Sequence, residues 1–329
     1  MKQKKHYNIL TSCDNNLAVY VTVGITAIAS NLKDANIDYY LLHSRIDPRN
    51  IEMLQVLCKE YKNVTFHEIV VPNPEAYEEL AKYGGSWSGE AYYALCAHQL
   101  LPETVDRALY LDAGDTLVLG DIEPYYNYDF QGNSLIVTGG RYKVSNGKDV
   151  LYEPEDLGAQ NFRHLSYILR GIFNSGSYVL NLDKMRKENL SLQDYLYLSK
   201  ELAKIRKDAE PPVYFGDQGL LSATFVGDVR YYRYPEIRAL GYMPYNFCLW
   251  FYNFDAGEPN YKPVIIHFAG TNVSKPWTVQ YPALLKRFQT KEGLRPMEDL
   301  RPGQARYYNV WQNYAIMTDE LLTQAGITK

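Results

Sequence analysis

The chain is poor in the residues that staple small folds, cross membranes or grip polyanions. Its four cysteines, Cys13, Cys58, Cys96 and Cys248, are scattered, with no Cys-x-x-Cys pair. That spacing argues against a zinc knuckle and a disulfide framework and fits a reducing compartment. No apolar run approaches the roughly 20 residues that span a bilayer. Basic residues are not in excess: 34 Lys and Arg stand against 38 Asp and Glu, a formal net charge of -4, so bulk attraction to nucleic acid is missing and no local basic stripe replaces it. Internal repeats and low-complexity linkers are also lacking.

What is present is ordinary globular material, 329 residues at 46% hydrophobic and 22% charged, with room for one large α/β domain or two smaller ones. The expected location is the cytoplasm. Lys2, Lys4 and Lys5 ahead of the apolar stretch 19–30 superficially resemble a signal peptide, but the polar residues 13–16 separate charge from apolar run. Tyrosine is the compositional excess, at 31 residues. Its amphipathic ring can stack on a sugar or base and still hydrogen-bond, although most tyrosines serve as half-buried structural residues.

Along the chain the pattern alternates. Residues 7–12 read as a strand, 13–16 as a polar loop, and the stretch through Leu32 as an amphipathic helix. A strand over 37–42, a helix from Asp47-Pro48 to about Tyr61 and a strand over 64–71 follow, with Pro48 in the first helical turn. Such alternation predicts parallel βαβ units. Further on come a loop over 84–89, a helix over 91–101 stopped before Pro102, and a strand over 134–140. A polar irregular loop over 141–158, suited to cover a site, precedes a turn feeding a strand over 173–183. Helices over 192–207 and from Gly216, and a buried strand over 263–270, complete the pattern.

Residues 107–115 read Arg-Ala-Leu-Tyr-Leu-Asp-Ala-Gly-Asp. The run Ala108-Leu-Tyr-Leu is hydrophobic at every position, as in a central strand covered on both faces, and ligands gather at the carboxyl ends of such strands. Asp112 and Asp115 would point to opposite sides of an extended strand. Gly114 can loop the chain and bring Asp115 back beside Asp112. Two converging carboxylates demand a cation or proton between them, and oxygen ligation suits Mg²⁺, Ca²⁺ or Mn²⁺. A solvated turn that merely ends the strand accounts for the same residues. His267 also ends a strand, followed by Gly270 and Lys275. Gly270 permits close backbone approach to a phosphate and Lys275 adds a point charge, an anion-binding loop beside a metal-capable imidazole; a lone histidine is otherwise a satisfied structural group.

Taken in order, residues 9–16 (Ile-Leu-Thr-Ser-Cys-Asp14-Asn-Asn16), residues 101–115, Phe173-Asn174-Ser-Gly176, Asp217-Gln218, and His267-Phe-Ala-Gly270 with Lys275-Pro-Trp277 resemble glycosyltransferase family 8, the retaining GT-A enzymes. The resemblance implies a GT-A, Rossmann-like three-layer αβα sandwich with a mostly parallel central sheet. It places a catalytic domain over 1–280 and a helical C-terminal appendage over 281–329. Asp14 and Asn16 would read the uracil and ribose of a UDP-sugar. Asp112, Asp115 and His267 would ligate Mn²⁺, with Mg²⁺ the alternative, and Gly270 and Lys275 would hold the diphosphate. Asn174, Asp217 and Gln218 would line the donor sugar, with Gln218 near the anomeric carbon. The implied reaction moves a hexose to a cell-surface glycan or lipid-linked acceptor with retention of configuration. Gln218 is a poor nucleophile, which favours front-face attack over double displacement.

The chain departs from the family pattern at several positions. The usual Asp-x-Asp is Asp112-Ala-Gly-Asp115, two extra residues separate Gly270 from Lys275, and Tyr-x-Arg-Leu reads Tyr92-Tyr-Ala94-Leu95. Asp-Gln-Asp reads Asp217-Gln218-Gly219, and a strand end that often bears an aspartate reads Gly139-Gly-Arg141. Metal and phosphate binding are expected to persist while the sugar pocket changes. Two competing functions fit part of the pattern: a non-catalytic nucleotide-sugar or glycan-binding protein, and a metal-dependent nucleotidyltransferase or phosphohydrolase. The helical stripe Tyr307, Tyr308, Trp311, Tyr314 reads as a packing face. Its alternative is a peripheral contact with the inner membrane face or with a second copy. Gly114→Val is expected to weaken metal-linked UDP binding with little loss of folding.

Overall fold

A computed structural model describes residues 4–138, 142–145, 148–151, 165, 168–206, 212–232, 243–249, 262–270, 273–282, 286–290, 293–301 and 303–327. Its first strands are β1 (Lys5–Ser12), β2 (Ala35–His43), β3 (Val64–Val70) and β4 (Arg107–Leu111). They continue as β5 (Thr116–Val118), β6 (Leu135–Thr138), β7 (Tyr142–Ser145) and β8 (Lys148–Leu151). After these come β9 (Ser177–Asn181), β10 (Val229–Tyr232), β11 (Phe247–Cys248) and β12 (Ile265–His267). A seven-stranded sheet runs β10-β6-β9-β4-β1-β2-β3. Its pairs are parallel except those made by β9, which lies antiparallel between β4 and β6. This is an α/β fold with a mostly parallel central sheet.

Side-chain alternation explains the two-sided core. Ile9, Ile37, Tyr39, Leu41 and Leu109 face helices Ala18–Asn31 and Pro48–Glu60. Leu10, Tyr40, Leu42, Ala108 and Tyr110 face helices Pro74–Gly84, Leu192–Ile205 and Gly216–Thr224. A strand apolar at every position is therefore covered on both faces. Helix Ala18–Asn31 contains no charged residue, because its far side is also covered, by helix Ala305–Gln324.

A smaller three-stranded sheet, β11-β12-β5, stands beside the large one. β5 pairs antiparallel with β12, His267 opposite Thr116, and Phe268 N–H donates to Asp115 O at 2.8 Å. Backbone pairing thus brings His267 to the residue after the second aspartate.

Several local expectations are corrected. Residues 91–101 do not form one α-helix: Gly89–Cys96 is a 3-10 helix followed by the short helix Ala97–Leu100. Tyr92, Tyr93, Ala94, Leu95 and Cys96 are all buried, so no polar face existed to set an α period. Helix Pro74–Gly84 and strands β10 and β11 were not expected. Helix 192–207 ends as Leu192–Ile205. Within the loop expected over 141–158, β7 and β8 pair antiparallel; its other residues, and Gly139 to Arg141 of the altered strand end, lie outside the described residues.

The C-terminal aromatic stripe packs inward. Tyr307, Tyr308 and Trp311 are buried, and Tyr314 takes a 2.6 Å hydrogen bond from Asn31 Nδ2. Thr318 Oγ1 meets Thr26 Oγ1 at 2.7 Å. The three buried rings pack against the core, as expected of a packing face. No described helix is long and apolar enough to cross a membrane.

Candidate active site

Strand β4 ends in the Asp112–Asp115 turn, and Gly114 there has φ +77°, a left-handed conformation that favours glycine. Thr116 Oγ1 donates back to Asp112 O at 2.7 Å and closes the turn. Asp112, Asp115 and His267 each aim a ligand atom into one spot, all within 4.8 Å of one another. His267 Nε2 lies 3.2 Å from Asp112 Oδ2 and 3.7 Å from Asp115 Oδ1. Nε2 and Asp115 Oδ1 are buried without a hydrogen-bond partner among the described residues.

Hydrogen bonding on the far side of the ring fixes what Nε2 can be. Gly176 N–H donates to Asn174 Oδ1 at 3.1 Å, so that atom is an acceptor, and it also lies 3.0 Å from His267 Nδ1. Nδ1 therefore carries the proton. In the neutral ring Nε2 is then a lone pair facing two carboxylates, and three converging acceptors repel unless a cation or a proton lies among them. Two carboxylate oxygens and one imidazole nitrogen fit a divalent cation.

Lys275 extends the site. Its ammonium bonds Asp115 Oδ2 and donates to Phe268 O at 3.3 Å. Burial alone would lower its pKa, but the Asp115 carboxylate outweighs that and holds it above its ordinary value. Lys275 thus satisfies one Asp115 oxygen and leaves the other aimed at His267. Gly270, exposed with φ +121°, lies just past the end of β12.

Helix Gly216–Thr224 brings Asp217 and Gln218, both buried, toward the same region. Burial, and then the Asp112 carboxylate, push the Asp217 carboxyl up to about 7, opposed by hydrogen bonds from the Ser175 side chain and Gln218 N–H. Gln218 Oε1 accepts from Asn174 Nδ2 at 3.1 Å and Ser175 N–H at 3.3 Å, while Nε2 donates to Arg170 O at 2.7 Å. Both ends of the amide are held. Asp14 and Asn16 sit past the end of β1, the parallel neighbour of β4. Asn16 Nδ2 donates to Asp14 Oδ2, and Asp14 Oδ1 accepts from Leu17 N–H at the start of the first helix, both at 3.0 Å.

The structure therefore gathers Asp112, Asp115, His267 and Lys275 into direct contact and links Asn174 to His267 and Gln218. Asp14, Asn16 and Gly270 lie outside this bonded group. Asn246 was missed. It is fully buried and bonds both Asn174 and His267, but a lone asparagine in the sequence carries no spacing signal.

The sequence profile of glycosyl transferase family 8 matches residues 8–280. The chain belongs to that family. A lipopolysaccharide 1,2-glucosyltransferase of Escherichia coli (strain K12) is 29% identical over 185 residues, 56% of this chain and 50% of the relative. The chain thus spans half the length of that relative. Among solved structures, galactosyltransferase LgtC in complex with donor and acceptor sugar analogs superposes with a TM-score of 0.61 at 19% identity, covering 94% of this chain and 95% of the other. Glycosyltransferase GlyE of Streptococcus pneumoniae TIGR4 superposes at 0.56 and 16% identity, covering 97% and 63%. These likenesses establish the GT-A-type fold for this family-8 chain.

Two departures from the family pattern acquire a local reason. A Cβ at Gly219 would stand 2.2 Å from Leu169 O and 2.9 Å from Tyr214 Cβ, so this helix packs too closely for a side chain there. Ala94 is buried within the 3-10 helix, where a charged side chain would need a buried partner. The expectation for Gly114→Val is also corrected: a Cβ there would meet Tyr20 Cβ at 2.7 Å, so that substitution costs folding as well as any binding.

Proposed function

We propose that the chain is a metal-dependent retaining glycosyltransferase that moves a hexose from a UDP-sugar to a cell-surface glycan. The convergence of Asp112, Asp115 and a His267 lone pair at the carboxyl edge of the sheet carries this reading. Family membership supports glycosyl transfer, and the lipopolysaccharide glucosyltransferase relative supports a glycan acceptor. A bound divalent cation, with Mn²⁺ favoured by the mixed oxygen and nitrogen ligands, would offset the charge that grows on the diphosphate as the glycosidic bond breaks.

The chain's own residues supply the rest. Lys275, already within the site, offers a point charge to a phosphate oxygen, and Gly270 lets backbone approach closely. Asp14 and Asn16 are assigned the uridine. Asn174 and Asp217 are assigned the sugar hydroxyls, and at neutral pH the raised Asp217 carboxyl can donate as well as accept. Gln218 has its carbonyl oxygen engaged by two donors, which weakens it further as a nucleophile and favours front-face attack, the leaving phosphate taking the acceptor proton.

Calorimetry with UDP, with and without Mn²⁺, tests the metal-linked site, and UDP release from UDP-glucose and UDP-galactose tests turnover. Tight binding only with Mn²⁺ and a fall of at least about 100-fold in release for Asp115→Ala are expected. Absence of metal-linked UDP binding by the wild-type chain would sink the reading. Binding without release from any UDP-sugar would leave a nucleotide-sugar-binding protein instead.

A further inference from the structure

Asn246 lies just ahead of β11, wholly buried, and reaches three groups of the site. Its Nδ2 donates to Asn174 Oδ1 at 2.9 Å and Asn174 O at 3.0 Å, and its Oδ1 lies 3.2 Å from His267 Nδ1. We propose that Asn246 is a positioning residue: it holds His267 with the proton on Nδ1 and ties that imidazole to the Asn174–Gln218 pair. Cation binding and donor-sugar geometry are then set by one hydrogen-bonded unit. This rests on reading Asp112, Asp115 and His267 as a cation site.

The orientation of each amide follows from its neighbours. The backbone donor of Gly176 identifies the Asn174 oxygen. With its own nitrogen committed to that oxygen, Asn246 turns its carbonyl to the ring. Two carbonyl oxygens converge on Nδ1, which satisfies them only as a donor, and the lone pair is left at Nε2. The ring packs directly on the Gly176 backbone: a Cβ at Gly176 would fall 2.0 Å from His267 Cε1 and 2.1 Å from Nδ1, so the imidazole cannot tilt toward that side. Asn174 passes the constraint onward through its 3.1 Å bond to Gln218 Oε1. Residues from three separate chain segments, 174, 246 and 267, meet in this unit.

The two functions of the Asn246 amide separate by substitution. Asn246→Asp keeps an acceptor for Nδ1–H and loses the donors to Asn174, whereas Asn246→Ala loses both. Mn²⁺ binding in the presence of UDP, followed by calorimetry and by the Mn²⁺ paramagnetic resonance signal, should weaken about 10- to 100-fold in Asn246→Ala. Asn246→Asp should bind Mn²⁺ within about threefold of wild type. It should release UDP from the best UDP-hexose with kcat at least about tenfold lower and KM little changed, as expected when an interaction made only in the transition state is lost. Wild-type affinity and turnover in both variants would overturn the inference, and so would equal metal losses in the two, since a purely structural role does not distinguish them. If Asn246→Ala fails to fold, Asn246→Asp decides alone, retained metal with reduced kcat supporting the role and lost metal overturning it. Failure of the wild-type chain to bind Mn²⁺ with UDP would instead refute the cation site beneath it.

Discussion

Gly114 carries two demands that no other residue type meets together. Its φ of +77° costs a β-branched residue on the order of 2 kcal/mol, and the 2.7 Å approach to Tyr20 Cβ adds a contact that only backbone movement relieves. Gly114→Val is expected to lower stability by at least about 2 kcal/mol in urea unfolding and to weaken metal-linked UDP binding in the fraction that folds. Asp217 contributes a pH dependence of its own. Its folded pKa, about 7, lies above the ordinary 3.8, so the folded chain holds a proton that the unfolded chain gives up. Its contribution is fully present below about pH 4 and is lost as pH rises to about 7. In EDTA, Asp217→Asn should remove about 1 to 3 kcal/mol of that decline between pH 4 and 7. Equal pH slopes in wild type and variant would show that Asp217 ionises normally.

At the scale of elements, helix Gly216–Thr224 shows how a departure from family pattern can be structural. Gly219 lies against Leu169 O, and Gly219→Ala should destabilise the chain by about 2 to 3 kcal/mol in urea unfolding. Gly219→Asp, which rebuilds Asp-Gln-Asp, should do so at least as strongly; an Asp variant as stable as wild type would mean the helix can shift to admit a side chain. Strands β1 to β4 and the first two helices were legible because alternation and a helix-starting Pro48 mark them locally. Segment Gly89–Cys96 was not, since its run Tyr92 to Cys96 is buried at every position and carries no period. Two-residue β11 was too short to leave a pattern, and β10 exists as an edge partner of β6.

Across the whole molecule, the C-terminal helix reaches the candidate metal turn. Trp311 Nε1 donates to Gly114 O at 3.4 Å, and its ring is fully buried among Phe288, Tyr281 and the β12 region. Trp311→Ala should cost about 3 to 5 kcal/mol in denaturant unfolding and, at temperatures where the variant stays folded, weaken Mn²⁺-linked UDP binding. Unchanged binding would show that the turn holds without the Trp311 contact. We propose on this contact that residues 281–329, though an appendage in sequence, brace the catalytic unit over 1–280.

The sequence by itself determined the α/β class, the parallel strands and the chemistry at strand ends, because those follow from residue type and local period. It also carried Asp112, Asp115, His267 and Lys275 as candidates, through short ordered motifs. Only the tertiary structure decided which atoms face one another. Pairing of β5 with β12 sets His267 opposite Thr116, and the Asn174–Asn246 network puts the proton on one side of the ring. Such placements depend on segments far apart in the chain closing onto one buried point, where unsatisfied polar groups are costly, and no local pattern records which partners they find there.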